Sequence, residues 1–201
     1  MITLATYLPE GAYEPVMAYL NHYKVHLTIA RNRQSVLGDY RHRFDTKHHR
    51  ISVNGGLNKY AFLITLLHEL AHLVTFEKHG NRVAAHGREW KNVYGQILAD
   101  FIKLQLFPQD IVDELLRSLQ NPGASTCAEE GLQRILRNYD TKKPGHFLVE
   151  ELPPGAAFAT KDGRTFQKGN KRRKRYECVE ISTGRKYLFS GVYEVMMVKE
   201  A

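Results

Sequence analysis

Residues 58–77, with the sequence NKYAFLITLLHELAHLVTFE, determine the fold of the first half of this 201-residue chain. Apolar residues recur in this stretch at helical spacing and cover a wide face, which predicts a mostly buried helix. Three ionisable residues, His68, Glu69 and His72, interrupt the apolar surface. Burying such side chains is costly unless they are paired or bind a ligand. We therefore expect the functional site in the middle of this helix.

The spacing of these three residues is typical of a zinc site. His68 and His72 are one helical turn apart, so their imidazoles can converge on one Zn²⁺ at about 2.0–2.1 Å each. A catalytic zinc takes a third protein ligand and keeps one position for water, whose pKa it lowers toward about 7. Glu69 lies about 100° around the helix from His68. From there its carboxylate can reach the metal-bound water, but it cannot share the metal with both histidines. A carboxylate there can take the proton as water attacks a carbonyl, and can later pass it to the leaving amine.

The third ligand should follow the helix in sequence, and the nearby candidates are Glu77, His79, His86 and Glu89. His79 stands in the glycine-containing turn directly after the helix, so reaching back to the metal would demand a tight reversal. His86 is far enough along the chain for a loop to form and for the chain to return to the metal. The start of the next helix would also hold the His86 side chain on a rigid element. We predict His86, with His79 as the alternative, and one zinc ion per chain.

Helical and strand-like patterns alternate through the rest of the first half. We predict helices at 10–24, 86–103, 109–120 and 128–139, and strands at 25–30 and 49–54. Residues 38–41 are typical of a turn that enters a further strand. His42, His48 and His49 are interpreted as surface histidines of an arginine-rich loop.

The second half changes character. Asn121-Pro122-Gly123 is a strong break, and after Pro144 short strand-like pieces alternate with glycine turns. We predict a domain at 1–121, a linker at 122–143 and a small basic β domain at 144–201. The fold class is α+β: helices with a small antiparallel sheet, then a small antiparallel β module of four to six strands.

Positive charge is concentrated in one segment. The chain carries a net charge of +8, and residues 161–175 alone contain eight basic residues and one acid. Such a cluster on a near-neutral body favours a polyanionic partner. The residues predicted to contact nucleic acid are Lys168, Lys171, Arg172, Arg173, Lys174 and Arg175. A second basic stretch precedes the long helix and comprises Arg31, Arg33, Arg41, Arg43, Lys47 and Arg50.

Several classes of protein are disfavoured. The two cysteines, Cys127 and Cys178, belong to no CxxC pair, so we expect reduced thiols and neither a disulfide framework nor a four-cysteine zinc ribbon. No apolar run reaches the roughly 20 residues of a membrane span, and the N-terminus lacks the features of a signal peptide. We therefore expect a cytoplasmic protein without membrane contact, and a monomer.

The motifs resemble the SprT-like family of zinc metallopeptidases. The resemblance spans roughly residues 10–110 and rests on HELAH at 68–72, HGREW at 86–90, LTIARNR at 27–33, LGDYR at 37–41 and ISVN at 51–54. It implies a zincin-like domain with zinc bound by His68, His72 and His86 and with Glu69 as general base. It also implies kinship with Spartan-type proteases that digest proteins crosslinked to DNA.

The sequence departs from this family after the catalytic region. Many SprT-like proteins carry a cysteine-rich zinc ribbon there, but this chain offers only Cys178, as in a bacterial type that lacks the ribbon. Its β module must therefore hold together without metal.

Three functions remain open on these grounds. The first is a zinc protease acting on DNA-associated or DNA-crosslinked proteins, with single-stranded or damaged DNA as a partner. The second is a nucleic-acid-binding adaptor with a structural zinc site, which would need a fourth protein ligand such as His79 or Glu89. The third is a general cytoplasmic peptidase.

Overall fold

A computed structural model describes residues 3–31, 36–43, 48–120 and 130–198. The chain forms two compact units, Met1–Asp140 and Thr141–Ala201. The described part of the first unit contains five α-helices: α1 (Tyr13–His22), α2 (Lys59–His79), α3 (Arg88–Lys103), α4 (Gln109–Gln120) and α5 (Glu130–Arg137). Each lies within or close to a range predicted from periodicity, so the helical part of the α+β prediction is confirmed.

Helix α2 forms the centre of the first unit. Asn58 caps its start, because the side-chain oxygen accepts hydrogen bonds from the backbone N–H groups of Tyr60 and Ala61. Gly80 ends it with a φ of +61°, a conformation that suits glycine. Thirteen of its residues are buried, as the wide apolar face predicts. A segment this enclosed holds its side chains on a rigid frame.

A three-stranded sheet packs beside α2. Its strands are β1 (His26–Ala30), β2 (Gly38–Arg41) and β3 (Arg50–Asn54), in the order β1-β3-β2. The prediction of an antiparallel sheet was wrong in one respect, because β3 pairs antiparallel with β2 but parallel with β1. β3 takes the centre because it carries the buried side chains Ile51 and Val53. This leaves β2 at an edge of the sheet.

The predicted domain boundary also needs correction. Helix α5, which we placed in a linker over 122–143, contributes the buried residues Leu132 and Leu136 to the core of the first unit. The division between the units therefore follows Asp140 rather than residue 121. The predicted break at 121–125 lies outside the described residues, as does Cys127.

The second unit is a six-stranded antiparallel sheet, as predicted for the β module. Its strands, in the order β4-β9-β5-β6-β7-β8, are β4 (His146–Leu148), β5 (Ala157–Ala159), β6 (Thr165–Arg172), β7 (Arg175–Glu180), β8 (Lys186–Ser190) and β9 (Glu194–Met197). A separate small core, which includes Phe158, Phe166 and the free thiol of Cys178, stabilises it. Across both units, none of the helices in the described ranges is long and apolar enough to cross a membrane.

Candidate metal centre

One helix and the loop after it bring three histidines together. His68 and His72 project from the same side of α2, and His86 comes from the loop that leads into α3. Nε2 of His68 lies 3.2 Å from Nε2 of His72 and 3.3 Å from Nε2 of His86. Among the described residues these three form a group able to hold a metal, with ligand atoms all within 4.8 Å of one another. The structure thus assembles the three histidines singled out from the sequence.

The spacing of the nitrogens fits a zinc ion. A tetrahedral centre with Zn–N bonds of about 2.0–2.1 Å places neighbouring ligand nitrogens about 3.3 Å apart. The two measured separations of 3.2 and 3.3 Å match this value. Hydrogen bonding alone does not explain both contacts, because Nε2 of a neutral His68 carries either one hydrogen or one lone pair and therefore makes one such bond at a time. The donor set, three imidazoles from a helix turn and a loop, also suits zinc.

The surroundings keep these imidazoles neutral, as metal ligands must be. Burial, followed by the neighbouring His72 and His86, lowers the pKa of His68 to about 3. Burial and His86 lower the pKa of His72 to about 4, and burial lowers that of His86. The indole of Trp90 on α3 packs against all three rings, at centroid distances of 4.7 to 5.2 Å. α3 therefore holds the cluster in place.

The other ligand candidates lie outside this group. His79, Glu77 and Glu89 do not belong to the metal-capable cluster found in the described part of the chain. Glu77 contacts His49 and Arg43 instead, and Glu89 lies 3.7 Å from Arg88. The cluster therefore offers three protein ligand atoms, the number typical of a catalytic zinc site.

Glu69 lies beside the histidines at the edge strand β2. Its side chain is 7% exposed. A Cβ atom on Gly38 would lie 2.5 Å from Oε1 of Glu69, so only glycine lets β2 pass this close. Burial, and secondarily the charge of Asp39, raises the pKa of Glu69 to about 8. This pKa applies to the site without metal, because a divalent cation nearby would stabilise the ionised carboxylate and lower the pKa of Glu69.

A cleft of about 480 Å³ opens onto this cluster. The three histidines and Glu69 line this cleft. Gly38, Asp39 and Tyr40 of β2 form one wall, and residues 80–81 and 83–85 after α2 also line it. A ligand in this cleft would therefore contact the histidines, the buried carboxylate and the edge strand together.

Comparison with known proteins agrees with this geometry. The model of the SprT-like family matches residues 14–107, which include α2, the sheet and His86. Residues 14–107 are thus similar to the SprT-like family. The matched span is a little under half of the chain, and it covers nearly all of the region in which the sequence resembles the family.

One curated protein also shows similarity. Pre-protein VI of Human adenovirus A serotype 12 is 33% identical over 95 residues, which are 46% of this chain and 34% of that protein. The chain thus spans about a third of that relative's length, and the likeness assigns it no activity. No solved structure matches the chain.

Two other polar residues of α3 near the histidines, Arg88 and Tyr94, lie outside the cleft. Arg88 is 87% exposed and pairs with Glu89, and Tyr94 is buried and stacks on Trp90. Neither residue lines the cleft.

The sequence interpretation missed a buried network at the end of α2. His49, predicted to lie on the surface, is only 2% exposed. Its ring contacts both Tyr40 and Glu77. The signal was available in the sequence, because His49 alternates with Ile51 and Val53 and so shares the buried face of β3. His42 is half-buried and stacks on Phe76, whereas His48 is exposed as predicted.

The second basic stretch is only partly available to a ligand. Arg41 pairs with Asp39, and Arg43 pairs with Glu77. Arg31 and Arg50 are exposed, whereas Arg33 and Lys47 lie outside the described residues.

The main basic segment forms the tip of the β6–β7 hairpin in the second unit. Lys171, Arg172, Arg173, Lys174 and Arg175 are all exposed there, and Arg173 turns the chain with a φ of +55°. Arg172 lies 3.7 Å from Glu177, whereas no ion pair between described residues involves the other four. The hairpin tip is therefore a compact group of solvated cations.

Lys168 does not belong to this exposed group, and its assignment as a nucleic-acid contact was wrong. It is 6% exposed, and its ammonium donates hydrogen bonds to the backbone carbonyls of Glu150 and Leu152. The ammonium also lies 4.5 Å from the centre of the Tyr176 ring. Lys168 points inward because it alternates with the buried Phe166 along β6, so its role is to stabilise the β module.

Proposed function

We propose that this protein is a zinc-dependent metallopeptidase that hydrolyses peptide bonds. The observation that carries the proposal is the group of three histidine nitrogens beside the buried carboxylate of Glu69, all lining one open cleft. His68, His72 and His86 would hold the metal. When bound, zinc supplies Lewis acidity, which polarises a carbonyl group and acidifies water.

Glu69 would act as general base and then as general acid. Its carboxylate would take a proton from the attacking water and later give it to the leaving nitrogen. The close passage of β2 at Gly38 restricts the carboxylate to a narrow range of positions. Burial also keeps bulk water from competing for it.

The edge strand β2 would align the substrate. The backbone N–H of Asn54 donates to the carbonyl of Leu37, so Leu37 and Asn54 form a hydrogen-bonded pair. In an antiparallel ladder the bonded pairs alternate, which turns the backbone groups of Gly38 and Tyr40 away from β3 and toward the open edge. An extended peptide could add there as a further strand, next to the histidines.

The proposed substrates are DNA-associated or DNA-crosslinked proteins. The support is the exposed cationic tip of the β6–β7 hairpin together with the resemblance to Spartan-type proteases. The proposed partners are thus protein substrates and single-stranded or damaged DNA. A monomer in the cytoplasm stays a prediction.

Metal removal and replacement test the peptidase proposal. Chelation should abolish casein cleavage, and added zinc should restore it. His86→Ala should lose both zinc and cleavage, whereas His22→Ala, a matched change at an exposed position of α1, should keep both. Stoichiometric zinc in the His86→Ala protein would contradict the assigned ligand set.

A salt titration tests the DNA part. Affinity for single-stranded DNA should fall steeply with salt, and each lost phosphate contact should reduce the slope by about 0.7. Replacing Lys171, Arg173, Lys174 and Arg175 with glutamine should reduce both the slope and DNA-stimulated cleavage. Binding that is insensitive to salt would exclude this role for the hairpin.

The adaptor alternative needs a closed zinc site with four protein ligands. The described residues bring three together, which favours the peptidase. Zinc X-ray absorption spectroscopy separates the two, since the adaptor requires a fourth protein ligand and the peptidase requires a ligand that the protein does not supply.

A further inference from the structure

A chain of polar contacts links the wall of the cleft to the last turn of α2. Tyr40 lines the cleft, and its hydroxyl lies 2.9 Å from Nδ1 of His49. Nε2 of His49 lies 3.2 Å from one carboxylate oxygen of Glu77, and Arg43 lies 3.4 Å from the other. We call Tyr40, His49 and Glu77 the relay.

The relay is firmly held by packing. The ring of His49 stacks on that of Tyr40 at 5.9 Å between centroids and meets the ring of Phe76 nearly edge-on at 6.1 Å. Because His49 is buried directly before β3, its two nitrogens must find partners within the protein. Tyr40 and Glu77 are those partners.

The chemistry of the partners fixes the hydrogens of the relay. An ionised carboxylate only accepts hydrogen bonds, so Nε2 of His49 must carry a hydrogen toward Glu77. Burial lowers the pKa of His49, assisted by the positive Arg43 and by His42 and opposed by Glu77, which favours the neutral ring at pH 7. A neutral ring with hydrogen on Nε2 has a lone pair on Nδ1. Nδ1 therefore accepts the hydroxyl hydrogen of Tyr40.

This arrangement determines what Tyr40 can offer to a ligand. Its hydrogen is engaged by His49, so its oxygen is left as an acceptor. Successive hydrogen bonds polarise one another, which makes that oxygen more electron-rich. Tyr40 is consequently unsuited to donate to a negatively charged oxygen and suited to receive a substrate N–H group.

We propose that Tyr40 is a substrate-binding residue whose hydroxyl oxygen accepts a hydrogen bond from an N–H group of a bound peptide, and that His49 and Glu77 are positioning residues that fix this polarity. The inference rests on the proposed peptidase function, since it concerns a peptide in the same cleft. The backbone of Tyr40 lies on the open edge of β2, so a peptide placed there would have its N–H groups close to this wall.

The tautomer of His49 can be read without any turnover. Long-range ¹H–¹⁵N NMR spectra of the zinc-loaded protein should show hydrogen on Nε2 and a bare Nδ1 at pH 7. Glu77→Gln should weaken this preference, because an amide can either donate or accept. Hydrogen on Nδ1 in the unmodified protein would overturn the proposal.

Peptide affinity tests the role of Tyr40 itself. Fluorescein-labelled β-casein would be titrated with zinc-loaded Glu69→Gln protein, in which no cleavage is expected. Adding Tyr40→Phe should weaken binding about fivefold, the effect of one neutral hydrogen bond. Tyr60→Phe is the matched control, because Tyr60 lies in the first turn of α2 whereas the relay lies at its last turn, and it should leave affinity unchanged.

A double-mutant cycle separates positioning from general support of the fold. Glu77→Gln should weaken β-casein binding when Tyr40 is present and add nothing when Tyr40→Phe is already in place. Additive effects, or no effect of Tyr40→Phe, would overturn the proposal. So would failure of the Glu69→Gln protein to bind β-casein, whereas failure of the unmodified zinc protein to cleave casein would count against the proposed function.

Discussion

The close approach of β2 to Glu69 makes Gly38→Ala the most informative single substitution. A Cβ atom at this position would lie 2.5 Å from Oε1 of Glu69, 2.7 Å from Cγ2 of Thr65 and 2.9 Å from Cγ of Glu69. Ordinary contact begins at about 3.4 Å, so the carboxylate oxygen must retreat by roughly 0.9 Å. A misplacement of about 1 Å in a catalytic group can cost about 100-fold in rate.

We therefore expect Gly38→Ala to keep zinc while kcat/KM for a peptide substrate falls by about 100-fold. Overpacking of this kind also costs about 1–3 kcal/mol of stability, which urea denaturation would measure. Gly95→Ala is the matched control, because the added carbon would meet only Leu119, at 3.5 Å, and should leave activity intact. Activity of Gly38→Ala equal to that of the unmodified protein would refute the assigned position and role of Glu69.

Three further predictions follow from single contacts. In the metal-free protein burial lowers the pKa of His68 to about 3, below its unfolded value of about 6.5, so the unfolded chain binds this proton first as pH falls. Urea denaturation at pH 7 and pH 5 should therefore show a loss of stability about 2 kcal/mol larger in the unmodified protein than in His68→Gln, since Glu69 and His72 titrate in both. Lys168→Met should destabilise the β module by about 1–3 kcal/mol and leave the salt slope of DNA binding unchanged. Asn58→Ala should cost about 1–2 kcal/mol of thermal stability, since its side chain caps α2 and also donates to the carbonyl of Leu136.

Local patterns predicted the helices and the three histidines that the fold brings together. The apolar spacing of α2 and the four-residue separation of His68 and His72 are properties of one segment, so the sequence displays them directly. The burial of Trp90, Tyr94 and Phe101 on α3 likewise follows from its periodicity. His86 could be selected as the third candidate ligand because a loop after α2, followed by a new helix, lets the chain return to His68 and His72.

Long-range pairing could not be predicted in the same way. The parallel pairing of β1 with β3 depends on which strand takes the centre of the sheet, and nothing local to β1 specifies it. The contact between Gly38 and Glu69 joins residues that are far apart in the sequence, so it is visible only once β2 lies against α2. The burial of Lys168 was within reach, because its alternation with Phe166 places it on the inner face of β6.

The role of Glu69 is the claim on which the proposed function depends most directly. Zinc content and casein cleavage would be measured together for the unmodified protein, for Glu69→Gln, and for Glu14→Gln as a matched change at an exposed position of α1. We predict one zinc ion per chain in all three proteins and cleavage in all but Glu69→Gln. Unimpaired cleavage by the Glu69→Gln protein would contradict the account.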